Sequence, residues 1–127
     1  MAKKSFWIHS RLKSIPYAID GLKDMLQNQH NAWIHAAFTA LALVMGWWLE
    51  LDSLRFALLV AIIVLVWMAE AFNTVFEVLA DILSPDYSPQ VKRAKDIAAA
   101  AVLIAAVGAI ALGLLILGPP LWHKIFT

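Results

Sequence analysis

Four side chains that could do chemistry lie along one stretch of the chain, EAFNTVFEVLAD, which runs from Glu70 to Asp81. A helix turns about 100° per residue, so the two glutamates, the asparagine and the aspartate of this stretch fall within an arc of about 80°. Carboxylate and amide oxygens suit a hard divalent cation, and a buried carboxylate can act as a general base. We call this face the carboxylate strip; its members are Glu70, Asn73, Glu77 and Asp81.

The residues before the strip are strongly apolar, since FALLVAIIVLVWMA (56–69) carries no charge. Ionisable side chains at membrane depth are costly and indicate function by default. The alternative is that the strip is the solvated end of a helix leaving the bilayer. That explains Asp81 and in part Glu77, but not Glu70, which directly follows Trp67, Met68 and Ala69. We therefore interpret Glu70 and Glu77 as functional residues.

The composition indicates a membrane protein. The chain is 62% hydrophobic with a mean hydropathy of +0.75, against about 45–50% apolar residues in soluble proteins. Three apolar runs, 34–49, 54–69 and 97–117, are candidates for membrane helices. The absence of cysteine excludes disulfides, zinc–cysteine sites and thiol nucleophiles. The net charge of +1 gives no indication of nucleic acid, and we expect no such partner.

The sequence predicts an all-α integral membrane protein with one domain over 1–127. Isoleucines and leucines recur at intervals of three and four from Ile8 to Leu26, which predicts an amphipathic surface helix over 1–30, kinked at Pro16. The polar segment 27–31 should mark the bend into the first span. Membrane helices are expected over 32–50, 54–83 and 93–118; SPDYSP should end the second and GPP the third.

Lys and Arg are concentrated in 1–30 and in the loop before the last helix, which places both in the cytoplasm. In that loop, VKRAKDIAAAAV (91–102) carries Lys92, Arg93 and Lys95. A positive-inside anchor is one explanation. Because Lys95 and Asp96 adjoin the apolar run near the depth where the strip emerges, a site for a nucleoside triphosphate and its cation is the other. Neither GxxxxGK[ST] nor GxGxxG is present, so a P-loop or an ordinary kinase fold is not expected.

The last apolar run carries small residues at every fourth position, which predicts a ridge for close helix packing. They are Ala101, Ala105, Ala109 and Gly113.

The strip, followed by SPDYSPQVKRAKDIAAAAV, resembles the signature of the bacterial integral-membrane diacylglycerol kinase and undecaprenol kinase family. That signature is E-x-x-N-[ST]-x-x-E-x-x-x-D, a short loop with a tyrosine, then A-K-D and an alanine-rich helix. The resemblance covers nearly the whole chain. The loop and His35 look more like the undecaprenol-kinase arm, since the other arm tends to have an acid at the latter position.

The resemblance implies an ATP-dependent lipid kinase of the bacterial inner membrane, multi-pass, with a cytoplasmic N-terminus. Glu70 would be the general base on the hydroxyl of diacylglycerol or undecaprenol, and Glu77 would hold Mg²⁺ on ATP. The other residues implied at the ATP site are Lys13, Tyr17, Gln29, Asn73, Asp81, Tyr87, Lys95 and Asp96. A homotrimer with shared sites is also implied.

One departure from the family pattern concerns the metal. Gln29 stands where the family usually has a second metal-binding glutamate, and an amide oxygen can ligate a cation without supplying charge. Weaker metal binding is expected, or help from Asp24. His30 and His35 could be metal ligands, but interfacial polar residues are the favoured interpretation. The alternative function is a non-catalytic membrane scaffold, although a scaffold has no need of intramembrane carboxylates.

Overall fold

The computed structural model describes residues 14–127, and in this part of the chain every regular element is an α-helix. The helices are α1 (Ser14–Asn28), α2 (His30–Trp48), α3 (Ser53–Leu83) and α4 (Pro89–Phe126). The chain divides into two compact units, residues 1–33 and residues 34–127.

In the first unit, α1 carries Pro16 in its first turn, where the missing N–H costs no internal hydrogen bond. The residues before Ser14, Lys13 among them, lie outside the described part, so the surface helix is seen only from Ser14. Gln29 is the single non-helical residue between α1 and α2: its N–H donates to the Met25 carbonyl at 2.9 Å, and its carbonyl accepts from the Ala32 N–H at 3.2 Å. The helical pattern is thus interrupted within 27–31, and the bend into a first membrane span stays a prediction.

In the second unit, α2 ends in a Schellman motif. The Leu51 N–H donates to the Gly46 carbonyl at 3.2 Å and the Glu50 N–H to the Trp47 carbonyl at 3.1 Å. The motif requires a left-handed residue, and Glu50 takes that conformation with φ 53°. A non-glycine residue pays a steric penalty there. The tight turn brings α3 back alongside α2.

Helix α3 is continuous from Ser53 to Leu83, as the absence of glycine and proline predicts. The Asp52 side chain caps its start by accepting from the Arg55 N–H at 2.9 Å. The polar turn SPDYSP ends it, as predicted, and Ser88 then caps α4 with Pro89 at the first helical position. The 31 residues of α3 correspond to about 46 Å, longer than a bilayer core of about 30 Å.

The prediction that GPP ends the last helix is wrong, because α4 continues through Pro119 and Pro120 to Phe126. Proline's fixed φ suits a helix, but a proline inside one removes a hydrogen bond and its ring crowds the carbonyl four residues earlier. A tertiary contact stabilises the extra turns: the Lys124 ammonium donates to the Trp48 carbonyl at 2.6 Å and lies 5.0 Å from the centre of the Trp48 ring.

Two of the described helices, α3 and α4, are long and apolar enough to cross a membrane. Helix α2 is shorter, and three polar side chains lower its hydropathy, His30, Asn31 and His35. Large apolar side chains are exposed along all three helices, for example Phe38, Leu65 and Ile104. Exposure of this extent suits a lipid or protein environment rather than water.

Candidate functional site

The carboxylate strip passes from buried to exposed along α3. The Glu70 side chain is only 1% exposed and Asn73 6%, whereas Glu77 is half-buried and Asp81 is exposed. Since α3 is one regular helix, Glu70 lies seven residues, about 10 Å along the helix axis, before Glu77, towards the apolar N-terminal part of α3. The strip therefore offers a buried carboxylate at one end and accessible carboxylates at the other.

Two oxygens of the strip are buried without a hydrogen-bond partner in the described part of the chain, Glu70 Oε2 and Asn73 Oδ1. The Asn73 amide is oriented by its Nδ2, which donates to Glu77 Oε1 at 3.1 Å. Thr74 adds no partner for either oxygen, because its hydroxyl donates to the Glu70 carbonyl at 3.0 Å. Unpaired buried acceptors are costly, about 1–3 kcal/mol each. Both oxygens are thus positioned to receive a donor or a cation from a ligand.

Helix α2 meets α3 through two side chains one turn apart, His35, which contacts the strip, and Thr39, which contacts Trp67. His35 Nε2 lies 3.5 Å from Glu70 Oε2, an ion-pair distance that is too long for a good hydrogen bond. Trp67 Nε1 donates to the Thr39 hydroxyl at 3.0 Å, and the Trp67 ring stands edge-on to the His35 ring at 6.4 Å. We call these four residues, His35, Thr39, Trp67 and Glu70, the interhelical cluster.

Helix α4 contributes a lysine to the exposed end of the strip. Lys95 Nζ donates to Asp81 Oδ1 at 2.7 Å, which joins two residues that the sequence predicted for one site. Asp96 instead accepts from Lys92, one turn away on the same helix, at 2.6 Å. Tyr87, in the connecting loop, is 80% exposed. The accessible end of the strip therefore has one cationic partner from α4, Lys95.

The oxygens at this end suit Mg²⁺, which takes carboxylate and amide oxygens and keeps several waters. Glu77 and Asp81 supply carboxylates there, and the unpaired Asn73 Oδ1 lies one turn before Glu77 on the same face, towards the buried end. Within residues 14–127, no group of three His, Asp or Glu side chains forms a complete metal cage. Gln29, the other expected ligand, belongs to the first unit, so its pairing with Glu77 stays a prediction, as do the roles of Tyr17, which is exposed on α1, and of Lys13.

An apolar pocket of about 370 Å³ lies among α2, α3 and α4. His35 lines it, so the pocket begins beside the residue that contacts Glu70. Ala109 and Gly113 of the predicted small-residue ridge also line it, and a Cβ added at Gly113 would meet no atom within 4 Å. There the small side chains leave space between the helices that line the pocket.

The sequence missed the interhelical cluster as a unit, although all its members were visible. Interfacial polarity was the interpretation favoured for His35. The available signal was the spacing, since His35 and Thr39 share one face of α2 while Trp67 and Glu70 share one face of α3. No such pattern states which faces of two helices meet.

Comparison with known proteins gives a consistent family. The model of the family described as prokaryotic diacylglycerol kinase matches residues 16–117. Undecaprenol kinase of Bacillus subtilis is 32% identical over 109 residues, which is 86% of this chain and 89% of the relative. Diacylglycerol kinase of Escherichia coli K12 is 31% identical over 99 residues, 78% of this chain and 81% of the relative.

Diacylglycerol kinase of Synechocystis is 37% identical over 112 residues, which is 87% of this chain and 63% of that longer protein. The matched region contains the whole carboxylate strip, the SPDYSP turn and the start of α4 with Lys95. The chain therefore belongs to the prokaryotic diacylglycerol kinase family.

Proposed function

We propose that this chain is an ATP-dependent lipid kinase that phosphorylates the hydroxyl of a membrane lipid alcohol, either diacylglycerol or undecaprenol. The observation that carries the proposal is Glu70, a buried carboxylate with an unpaired oxygen, in contact with His35, which lines an apolar pocket. A lipid tail in the pocket brings an apolar molecule to a base, which is what phosphorylation of a lipid alcohol requires. Relatives named for each substrate support both candidates.

In the proposed reaction, the Glu70 carboxylate takes the proton of the lipid hydroxyl as that oxygen attacks the γ-phosphorus of ATP. The new P–O bond forms to the lipid, the bond from the γ-phosphorus to the β–γ bridging oxygen breaks, and ADP leaves. Lys95, drawn towards the strip by Asp81, balances phosphate charge. Bound Mg²⁺ would supply further neutralisation, with Glu77 and Asn73 holding it from α3.

The Mg²⁺ dependence of activity tests whether Gln29, in place of the family's glutamate, weakens metal binding. If Gln29 faces the metal, Gln29→Glu restores a charge and lowers the Mg²⁺ concentration for half-maximal activity severalfold. Asp24, whose Oδ1 accepts from Asn28 Nδ2 at 2.7 Å, is the alternative source of charge, so Asp24→Asn is made in both backgrounds. If neither substitution changes the Mg²⁺ titration, α1 does not help to hold the metal.

We infer further that the protein crosses the bacterial plasma membrane three times, with its N-terminus in the cytoplasm, and that it works as a homotrimer. Two apolar helices and the excess of Lys and Arg in 1–30 support the topology. Helix α2 carries exposed apolar side chains, yet its mean hydropathy is below that of a candidate membrane span. Both features support a position for α2 among other helices. Cysteine-accessibility labelling from each side of the membrane and cross-linking test these two inferences.

The deciding experiment is a kinase assay on the purified protein in lipid bicelles with radiolabelled ATP. Diacylglycerol and undecaprenol are supplied in parallel, and a sample without lipid alcohol reports background ATP hydrolysis. Label transferred to either lipid supports the proposal and identifies the substrate. Failure with both lipids, by protein that is folded and supplied with ample Mg²⁺, would favour the scaffold, which no feature of the described site supports.

A further inference from the structure

We propose that His35 is a positioning residue that holds the Glu70 carboxylate in the orientation needed for proton transfer. The inference rests on the proposed lipid-kinase function and assigns to α2 a part in the reaction. Its starting point is the 3.5 Å contact between His35 Nε2 and Glu70 Oε2, in which the Glu70 side chain is 1% and the His35 side chain 14% exposed.

The burial of Glu70 makes the partner necessary. A buried carboxylate stays ionised only where donors or positive charge compensate for lost water. In the described part of the chain, His35 is the ionisable side chain in ion-pair contact with Glu70. A carboxylate offers about four lone-pair sites, so a contact with His35 leaves others for the lipid hydroxyl.

The distance leaves room for the contact to shorten when substrate binds. At 3.5 Å the contact is longer than the 2.7–2.9 Å typical of a charge-assisted hydrogen bond. Catalytic hydrogen bonds are often long without substrate and tighten in the complex. His35 also lines the apolar pocket, so a lipid tail in the pocket lies against the ring that holds the base.

The rest of the interhelical cluster fixes the ring in place. Trp67 stands edge-on to His35, and its indole N–H is committed to Thr39, one turn along α2 from His35. Two side chains of α2 are thus matched to two of α3. This pairing limits rotation of either helix against the other, which keeps Nε2 directed at Glu70.

Two substitutions separate the donor from the bulk of the ring. His35→Gln keeps an N–H near the position of Nε2, whereas His35→Leu fills the space without a donor. We expect His35→Leu to lower kcat about 10- to 100-fold, the range for losing a hydrogen bond to a charged group. The KM for ATP should stay within about twofold, and His35→Gln should recover most of kcat. His123→Leu, at the far end of α4, is the control for loss of a histidine, since the His123 ring nitrogen lies 3.2 Å from the Thr127 hydroxyl.

The proposal also requires that His35 act through Glu70. In a Glu70→Gln background, His35→Leu should cause no further loss of the residual transfer to lipid, since interacting residues are not additive. Full kcat in His35→Leu would overturn the proposal. Equal impairment in His35→Gln and His35→Leu, or additive losses in the double variant, would also overturn it.

A second measurement does not depend on activity. With ¹⁵N-labelled histidine, the ring signals of His35 are identified by their disappearance in His35→Gln. They should shift in Glu70→Gln, while those of His123 should not. If wild type phosphorylates neither lipid, the proposed function fails, and the His35 signals alone decide whether the ring holds Glu70. Unshifted His35 signals in Glu70→Gln would show that the His35 ring does not contact Glu70.

Discussion

The two ends of the α2–α3 pair are built in opposite ways. At the Gly46 end, formed by Gly46, Leu49 and Leu59, side chains are apolar and buried, and Leu59 is only 2% exposed. At the Glu70 end, formed by the interhelical cluster with Asn73, the contacts are polar and two buried oxygens lack a hydrogen-bond partner within residues 14–127.

The difference indicates that the two ends have different roles. Dense apolar packing stabilises a helix pair, whereas unpaired buried acceptors destabilise it unless a ligand meets them. The Gly46 end therefore supports the fold, and the Glu70 end holds polar groups ready for substrate. Substitutions at the two ends should accordingly separate stability from activity.

The largest effect is expected for Glu70→Gln. The change keeps the shape of the side chain and removes the base, so kcat should fall about 10²- to 10⁴-fold. The amount of folded protein in the membrane should not fall. Phosphate transfer from radiolabelled ATP measures the first and size-exclusion chromatography in detergent the second. Near-normal turnover would remove Glu70 from the role of base.

Glu77→Ala tests the accessible end of the strip. We expect the Mg²⁺ concentration for half-maximal activity to rise about tenfold, because a carboxylate ligand and the partner of Asn73 Nδ2 are lost together. The KM for the lipid should change little. Titrations of each component measure both, with Glu50→Gln as the control for losing a distant carboxylate. A defect confined to the lipid KM would contradict the metal assignment.

Gly46→Ala tests the packed end. A Cβ there would lie 3.1 Å from Leu59 Cδ2 and 3.3 Å from Phe56 Cε2, so these buried and half-buried side chains would have to shift to admit it. Gly108→Ala is the matched control, since a Cβ at Gly108 meets nothing within 4 Å. Both gain helix propensity, so the free energy of unfolding in detergent should differ between them by about 1–3 kcal/mol, with Gly46→Ala the less stable. Equal stabilities would show that the Gly46 end is not tightly packed.

The smallest effect is expected at the turn beside that end. Glu50→Gly should raise the free energy of unfolding by up to about 1 kcal/mol, because glycine adopts the left-handed conformation of Glu50 without steric cost. Glu50→Ala keeps a Cβ and removes the charge, so it should give no such gain. Kinase activity should be unchanged in both, and a gain shared by Glu50→Ala would point to charge instead.

The sequence alone predicted the continuous α3 helix and its end at SPDYSP, because those depend on local rules: the absence of glycine and proline within, and prolines after. It also predicted the strip, because helical periodicity places side chains on a face. The end of α4 was mispredicted for the converse reason. Local rules stop a helix at GPP, whereas the contact between Lys124 and Trp48 comes from residues far apart in sequence.

Which partners the strip meets was decided only by the tertiary structure. Periodicity fixes the face on which Glu70 lies, yet it carries no information on which face of another helix packs there. The contact of Glu70 with His35, and of Asp81 with Lys95, depends on how three helices cross. The sequence therefore determined which residues could do chemistry and the family to which they belong. The packing of α2 and α4 against α3 decided that one carboxylate is buried beside a histidine while another is exposed beside a lysine.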